Sequence, residues 1–260
     1  MRDLFDEVAG KSPLDPQEAV RREARVPKRK RFYKEAGVAD AASGFTITLD
    51  GKPIKTPSGR TVTVPVRAIA EAIAEEWRAQ RETIDPVTMP LTRFANSVVE
   101  SVVDRAQLVR DDVAKYLHSD LLFYRAGHPR ALVEKEAQHW DPVLFWAADT
   151  FGAHFILGEG IMHVRQPDTA VEAAKGALPH DPWSLAAVHV VTTLTGSALL
   201  ALALTLGARD PDQVWDAAHV DEDWNRDQWG VDEEVVTRRA AGEVDFRAAV
   251  RILAAMKPSG

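Results

Sequence analysis

The chain has 260 residues, 45% of them apolar, and no cysteine; 39 acidic against 32 basic side chains give a formal net charge of −7 and a pI near 5.6. That length favours two domains over one. The missing cysteine excludes disulfides, thiolate nucleophiles and Cys-based zinc sites, and is compatible with a reducing compartment. The acidic balance argues against a general nucleic-acid binder.

Residues 1–30 read as a loose arm broken by Pro13, Pro16 and Pro27. Its opening decapeptide carries Asp3, Asp6 and Glu7 without a long apolar run, so it is neither a secretory signal nor a convincing transit peptide. Arg21, Arg22, Arg25, Lys28, Arg29, Lys30 and Arg31 form a basic run. Such a run suits an acidic surface, nucleic acid or lipid headgroups, but a solvated segment lying on its own net-negative protein is the simpler reading.

Residues 31–85 read as a β-rich domain ending in a helix. In Phe45-Thr46-Ile47-Thr48-Leu49 apolar residues alternate with threonine, which predicts a strand with one buried and one wet face. Asp50-Gly51 is a two-residue hairpin signal, because such turns need positive φ. Lys52 to Thr56 is the expected return strand, with Pro53 favouring an edge. Thr61 to Val64 is a third strand, and Phe32-Tyr33 a candidate earlier one. Val66, Ile69, Ile73 and Trp77 then recur at steps of three and four, the apolar face of a helix.

Trp77, Gln80, Met89, Pro90, Thr92 and Asn96 mark the expected domain joint. Asp85-Pro86 and Met89-Pro90 each disfavour helix before the proline, and Thr92 is expected to cap the next helix through its hydroxyl. An ordinary bent linker satisfies the same pattern.

Residues 86–260 read as a helical domain. Asp104 with Gln107 looks like a capping box. Pro129 opens a helix, Asp141-Pro142 another, and Gly152 ends it. Phe155 to Val164 is mixed. Asp168 caps the next helix. Leu185 to Gly207 lacks Asp, Glu, Lys and Arg over a length that just spans a bilayer. Its Thr192, Thr193, Thr195, Gly196 and Ser197 favour two buried helices broken at Gly196-Ser197 instead. Asp210-Pro211 with Gln213 caps a helix over Asp212 to Trp229, and two more follow, Val235 to Ala241 and Glu243 to Met256. The expected fold class is therefore α+β: a small N-terminal meander or partial barrel, then a larger all-helical domain.

No compact catalytic or metal-ligand motif is present. The eight histidines have no HExxH spacing, no Walker loop exists, and no serine sits in a nucleophile elbow. No cofactor and no metal are expected. The unusual stretch is Asp216 to Glu234, with eight acids against Arg226, interleaved with Trp215, Trp224 and Trp229. On a single helix, Asp221 and Trp224 fall near the packed face and Glu222 on its border. Like charges three or four apart cost a few tenths of a kcal/mol each. Either this is a solvated acidic helix with core tryptophans, or it is an acidic, aromatic-edged surface for a basic partner.

Leu49 to Pro57 (LDGKPIKTP), Glu76-Trp77 with Gln80, Ile84, Met89 to Thr92 with Asn96, Tyr116-Leu117, Asp120 to Leu122, Tyr124-Arg125, Trp140-Asp141-Pro142 and Trp229-Gly230 follow one another in order. Together they resemble the family of F1-ATPase assembly chaperones that hold the free α subunit. The resemblance runs from about Arg31 to Glu234. It implies the same two-part plan, no enzymatic activity, and a monomer that binds the unassembled α subunit until β arrives. It also implies a functional acid on the late helix. Glu222 is the best match, and Asp221, Asp223, Trp224, Trp229 and Asp232 complete the implied partner surface. A bacterial member would work in the cytoplasm, a eukaryotic one in the mitochondrial matrix. The alternative is a small-molecule enzyme with a pocket at the domain joint, using acids such as Asp120 or Glu222.

Overall fold

Asp50 and Gly51 adopt φ of 48° and 78°, the paired positive values of a tight hairpin turn. They join β2 (Gly44–Leu49) to β3 (Lys52–Pro53) in the computed structural model, which describes residues 29–160 and 162–257. The Asp50 carboxylate accepts the backbone N–H groups of Lys34 and Glu35, pinning the turn to the preceding strand. That strand is β1 (Ala36–Ala41), not Phe32-Tyr33, and it pairs antiparallel with β2 along its whole length. β4 (Thr63–Val64) closes a four-stranded sheet against the start of β2. Ile47 and Leu49 are buried as the alternation predicts. Thr46, expected to be wet, is buried as well, its hydroxyl donating to the Val62 carbonyl at 2.8 Å.

Helix α1 (Arg67–Ala79) lays Ile69 and Ile73 on this sheet. After it the chain turns through a 3-10 segment, Pro86–Thr88, into α2 (Pro90–Ser97), whose first residue is the proline. Thr92 does not cap α2; the cap position is Met89. The Glu76 carboxylate on α1 does that work, accepting the N–H groups of Leu91 and Thr92 at 2.7 and 2.8 Å and the Thr92 hydroxyl at 2.7 Å. Gln80 holds the turn below, donating to Thr88 and accepting from the Asp85 N–H. Glu76 and Gln80 thus splice two helices.

No capping box restarts the chain at Asp104. α2 runs on through a π-turn (Val98–Val102) into α3 (Val103–Tyr116), broken at Arg105 by φ −137° and ψ 29°. Asp104 ion-pairs with Arg60 instead. Arg105 is also where the chain divides into two compact units: one ends there and takes back Arg251 onward, the other is Ala106–Val250. Residues 86–105 therefore cluster with the sheet rather than with the helical unit. All six residues of the expected joint lie in that first unit. Gln80, Met89 and Thr92 are buried, Trp77 and Asn96 are half-buried, and Pro90 opens α2. The arm over residues 1–28 and its basic run lie outside the described residues, except for Arg29 to Arg31.

The second unit is helical around one apolar hairpin. α6 (Pro182–Thr195) and α7 (Ala198–Thr205) break at Gly196, φ 69°, and Ser197 caps α7 through the Leu200 N–H. No helix among the described residues is long and apolar enough to cross a membrane. Asp120 is fully buried here, accepting the N–H groups of Leu122 and Leu199. Burial, only partly offset by these bonds, pushes its carboxyl up to about 6.

Asp141-Pro142 starts no helix. α4 runs unbroken from Arg130 to Phe151, with Pro142 inside. Asp141 instead pairs with Arg125 at 2.7 Å, and that guanidinium lies 5.1 Å from the centre of the Trp140 ring. Arg125 belongs to β5 (Tyr124–Arg125), which pairs in parallel with β6 (Gly158–Glu159). Asp168 sits in the first turn of α5 (Asp168–Gly176), whose cap position is Pro167.

Candidate functional site

The acidic stretch folds as two helices rather than one. α8 (Pro211–Ala218) has the expected capping box of Asp210 and Gln213. It ends at His219, whose φ of −117° and ψ of 16° are not helical and whose ring N–H bonds the Trp215 carbonyl at 2.7 Å. Trp215 is buried against Phe246. α9 (Val220–Trp229) then starts in a new phase. A last helix, α10 (Glu233–Met256), runs continuously through Gly242, where two helices are expected.

Asp221 falls on the packed side, as its place in the apolar pattern predicts. Asp221 is exposed as a residue, yet its carboxyl turns inward and hydrogen-bonds with that of Glu136 on α4, which is 2% exposed. Burial and the neighbouring Asp221 charge push Glu136 up to about 7, although the Ala126 N–H donates to it. Burial raises Asp221 too. The two groups therefore share a proton near neutrality.

Sequence alone sets Arg226 against the acids, but the fold adds more cations. Arg238 on α10 reaches Glu222 at 3.5 Å. Arg239 pairs with Asp223, which also takes Arg226 at 3.0 Å. Burial alone would raise the Asp223 carboxyl; the two guanidinium groups outweigh it and hold it below the usual range. Asp227 lies 3.8 Å from both Arg226 and Lys135. Trp224 is half-buried, so it does not join the core as Trp215 does.

What remains open to a partner is the end of α9. Trp229 is 87% exposed, and beyond the Gly230 turn Val231 is 67% exposed and Val236 is also exposed. Asp227, Asp232 and Glu233 flank these apolar groups and are exposed themselves. The surface is thus apolar at its centre and acidic at its edge. Val231, Val236, Arg238, Arg239 and Glu136 were not among the residues that the sequence singles out. The valines and the arginine pair stand within ten residues of Trp229, whereas nothing in sequence ties Glu136 to Asp221. Asp120, the acid an enzyme would recruit, is spent on capping α7. Among the described residues no group of three His, Asp or Glu could hold a metal ion.

The family model for the ATP12 chaperone protein matches residues 30–148. The mitochondrial atp12 protein of Schizosaccharomyces pombe is 22% identical over 221 residues, 78% of this chain and 75% of that protein. Among solved structures, a protein of Agrobacterium tumefaciens is 44% identical with a TM-score of 0.85, covering 97% of this chain and 95% of that one. The ATP12 protein of Paracoccus denitrificans is 35% identical with a TM-score of 0.83, covering 88% of this chain and 99% of that one. A variant of that protein with one aspartate replaced by lysine superimposes similarly, with a TM-score of 0.82. With a third of its residues identical to the Paracoccus protein across nearly the whole of that structure, this chain belongs to the ATP12 chaperone family.

Proposed function

We propose that the protein is a chaperone of ATP synthase assembly that holds the unassembled α subunit of F1 until it pairs with β. An orphan ring subunit exposes a large apolar interface that would otherwise be buried, and exposed patches of that kind aggregate. A holder must cover such a surface and still release it. The observation that carries this reading is the end of α9, where Trp229 stands in solvent between carboxylates. A single large anchor gives contact area, while charges at the rim govern encounter more than residence. Glu222, Asp223, Asp227 and Asp232 would line this surface, with Glu222 and Asp223 drawn on through their arginine partners. The protein would do this as a monomer, without cofactor or catalysis.

The test is co-purification with free F1 α and free F1 β, each presented separately. Retention of α and not of β is the expected result. Retention of neither, or of β alone, would contradict it.

A further inference from the structure

The sheet unit carries a groove of about 360 Å³ that the reading above does not use. Its floor is aromatic: the Tyr33 and Trp77 rings meet edge-on at 5.6 Å, and Phe32, 68% exposed, meets Tyr33 edge-on at 5.4 Å. Its rim is basic. Lys52 and Lys55 are exposed and have no ion pair among the described residues. Asp50, the acid beside them, is occupied by the N–H groups of Lys34 and Glu35. An aromatic floor with two free ammonium groups suits a peptide carrying an apolar side chain between carboxylates.

We propose that the occupant is the segment Asp3-Leu4-Phe5-Asp6-Glu7-Val8 of the same chain, with Phe5 on the ring floor and its three acids facing Lys52 and Lys55. Two observations select it. First, the described chain starts at the groove. Arg29 and Arg31 hydrogen-bond the backbone of Ile84 and Glu82, and the Arg31 guanidinium donates to the carbonyls of Gln80, Tyr33 and Lys34 while covering the Tyr33 ring. Only about 20 residues of sequence separate that point from the acidic segment, so both belong to one molecule at a short chain distance. Second, charge discriminates along the arm. The near stretch, Arg21 to Lys30, is basic and is repelled by the two lysines; the far stretch, Asp3 to Glu7, is acidic and apolar.

The native chain has no cysteine, so a designed pair reports cleanly. Leu4→Cys with Pro53→Cys in the full chain should form an intramolecular disulfide under mild oxidation. Adding Phe5→Ala, or Asp6→Lys with Glu7→Lys, should slow it at least tenfold, and 1 M salt should slow it as well. A disulfide that forms between molecules, or one whose rate ignores Phe5 and the acids, overturns the proposal. Independently of any cysteine, the indole N–H resonance of Trp77, assigned by its loss in Trp77→Phe, should move between the native chain and Phe5→Ala; an unmoved resonance overturns it too. These readouts concern the sheet unit alone, so they stand or fall separately from α-subunit binding.

Discussion

Arg238 on α10 lies 3.5 Å from the Glu222 carboxylate on α9. Both side chains are about half exposed, and pairs of that kind contribute only about 0–1 kcal/mol. Glu222→Lys should therefore leave the urea midpoint almost unchanged while lowering α-subunit binding at least tenfold. The double variant Glu222→Lys with Arg238→Glu rebuilds the ion pair in reverse. If Glu222 acts on the client, the swap restores no binding; full rescue by the swap would assign Glu222 a purely internal role.

Trp229 tests the apolar part of the same surface. Its side chain stands in solvent at the end of α9, so Trp229→Ala removes almost no folded-state packing. Stability should change by less than about 0.5 kcal/mol, whereas a central aromatic anchor costs about 2 kcal/mol or more in binding when truncated. Titration calorimetry against free α subunit measures the second number and thermal unfolding the first. Equal affinity of the variant and native protein would remove Trp229 from the client face.

Glu136 makes a pH prediction. Its folded carboxyl protonates near 7 against an ordinary value of 4.5. The folded state thus binds a proton more tightly than the unfolded chain. Its contribution is most favourable below the unfolded value and is lost as pH rises through the folded one. Glu136→Gln keeps an oxygen for the Ala126 N–H but removes the titration. The variant should gain stability relative to the native protein between pH 5 and pH 8, by chemical denaturation at each pH. A difference that stays flat across that window would contradict a shared proton between Glu136 and Asp221.

How much of this was legible in sequence depended on how local the cause is. The Asp50-Gly51 turn, the Gly196 break and the Asp210–Gln213 capping box were readable because each is closed within a few residues. The cap of α2 is not legible at Thr92, because it comes from Glu76, sixteen positions away. Asp141-Pro142 reads as a helix start, yet Asp141 serves Arg125 and the helix absorbs the proline. On the candidate surface Trp229 and Asp232 stand exposed, whereas Asp221 turns inward and the arginines that pair with Glu222 and Asp223 arrive from the next helix. The break at His219 is not legible, because one non-helical residue ends the helix there, yet the inward turn of Asp221 follows from its place in the apolar pattern.

Glu76 provides the stability counterpart. One carboxylate satisfies two backbone donors of α2 and the Thr92 hydroxyl. Glu76→Ala leaves those donors without their acceptor in a partly buried turn, at a cost of about 2–4 kcal/mol. Thr92→Val removes only one of the three bonds and should cost about 1 kcal/mol. Urea denaturation of both variants checks the ratio. Equal losses would mean that the hydroxyl, and not the backbone cap, carries the contact.

A chaperone whose α9 end covers an unpartnered F1 α subunit keeps that subunit from aggregating. Light scattering of free α subunit diluted from denaturant, with one equivalent of chaperone present, measures that most directly. The native protein should suppress the scattering, and the combined Glu222→Lys, Trp229→Ala variant, equally stable, should not. Equal suppression by both would contradict the account.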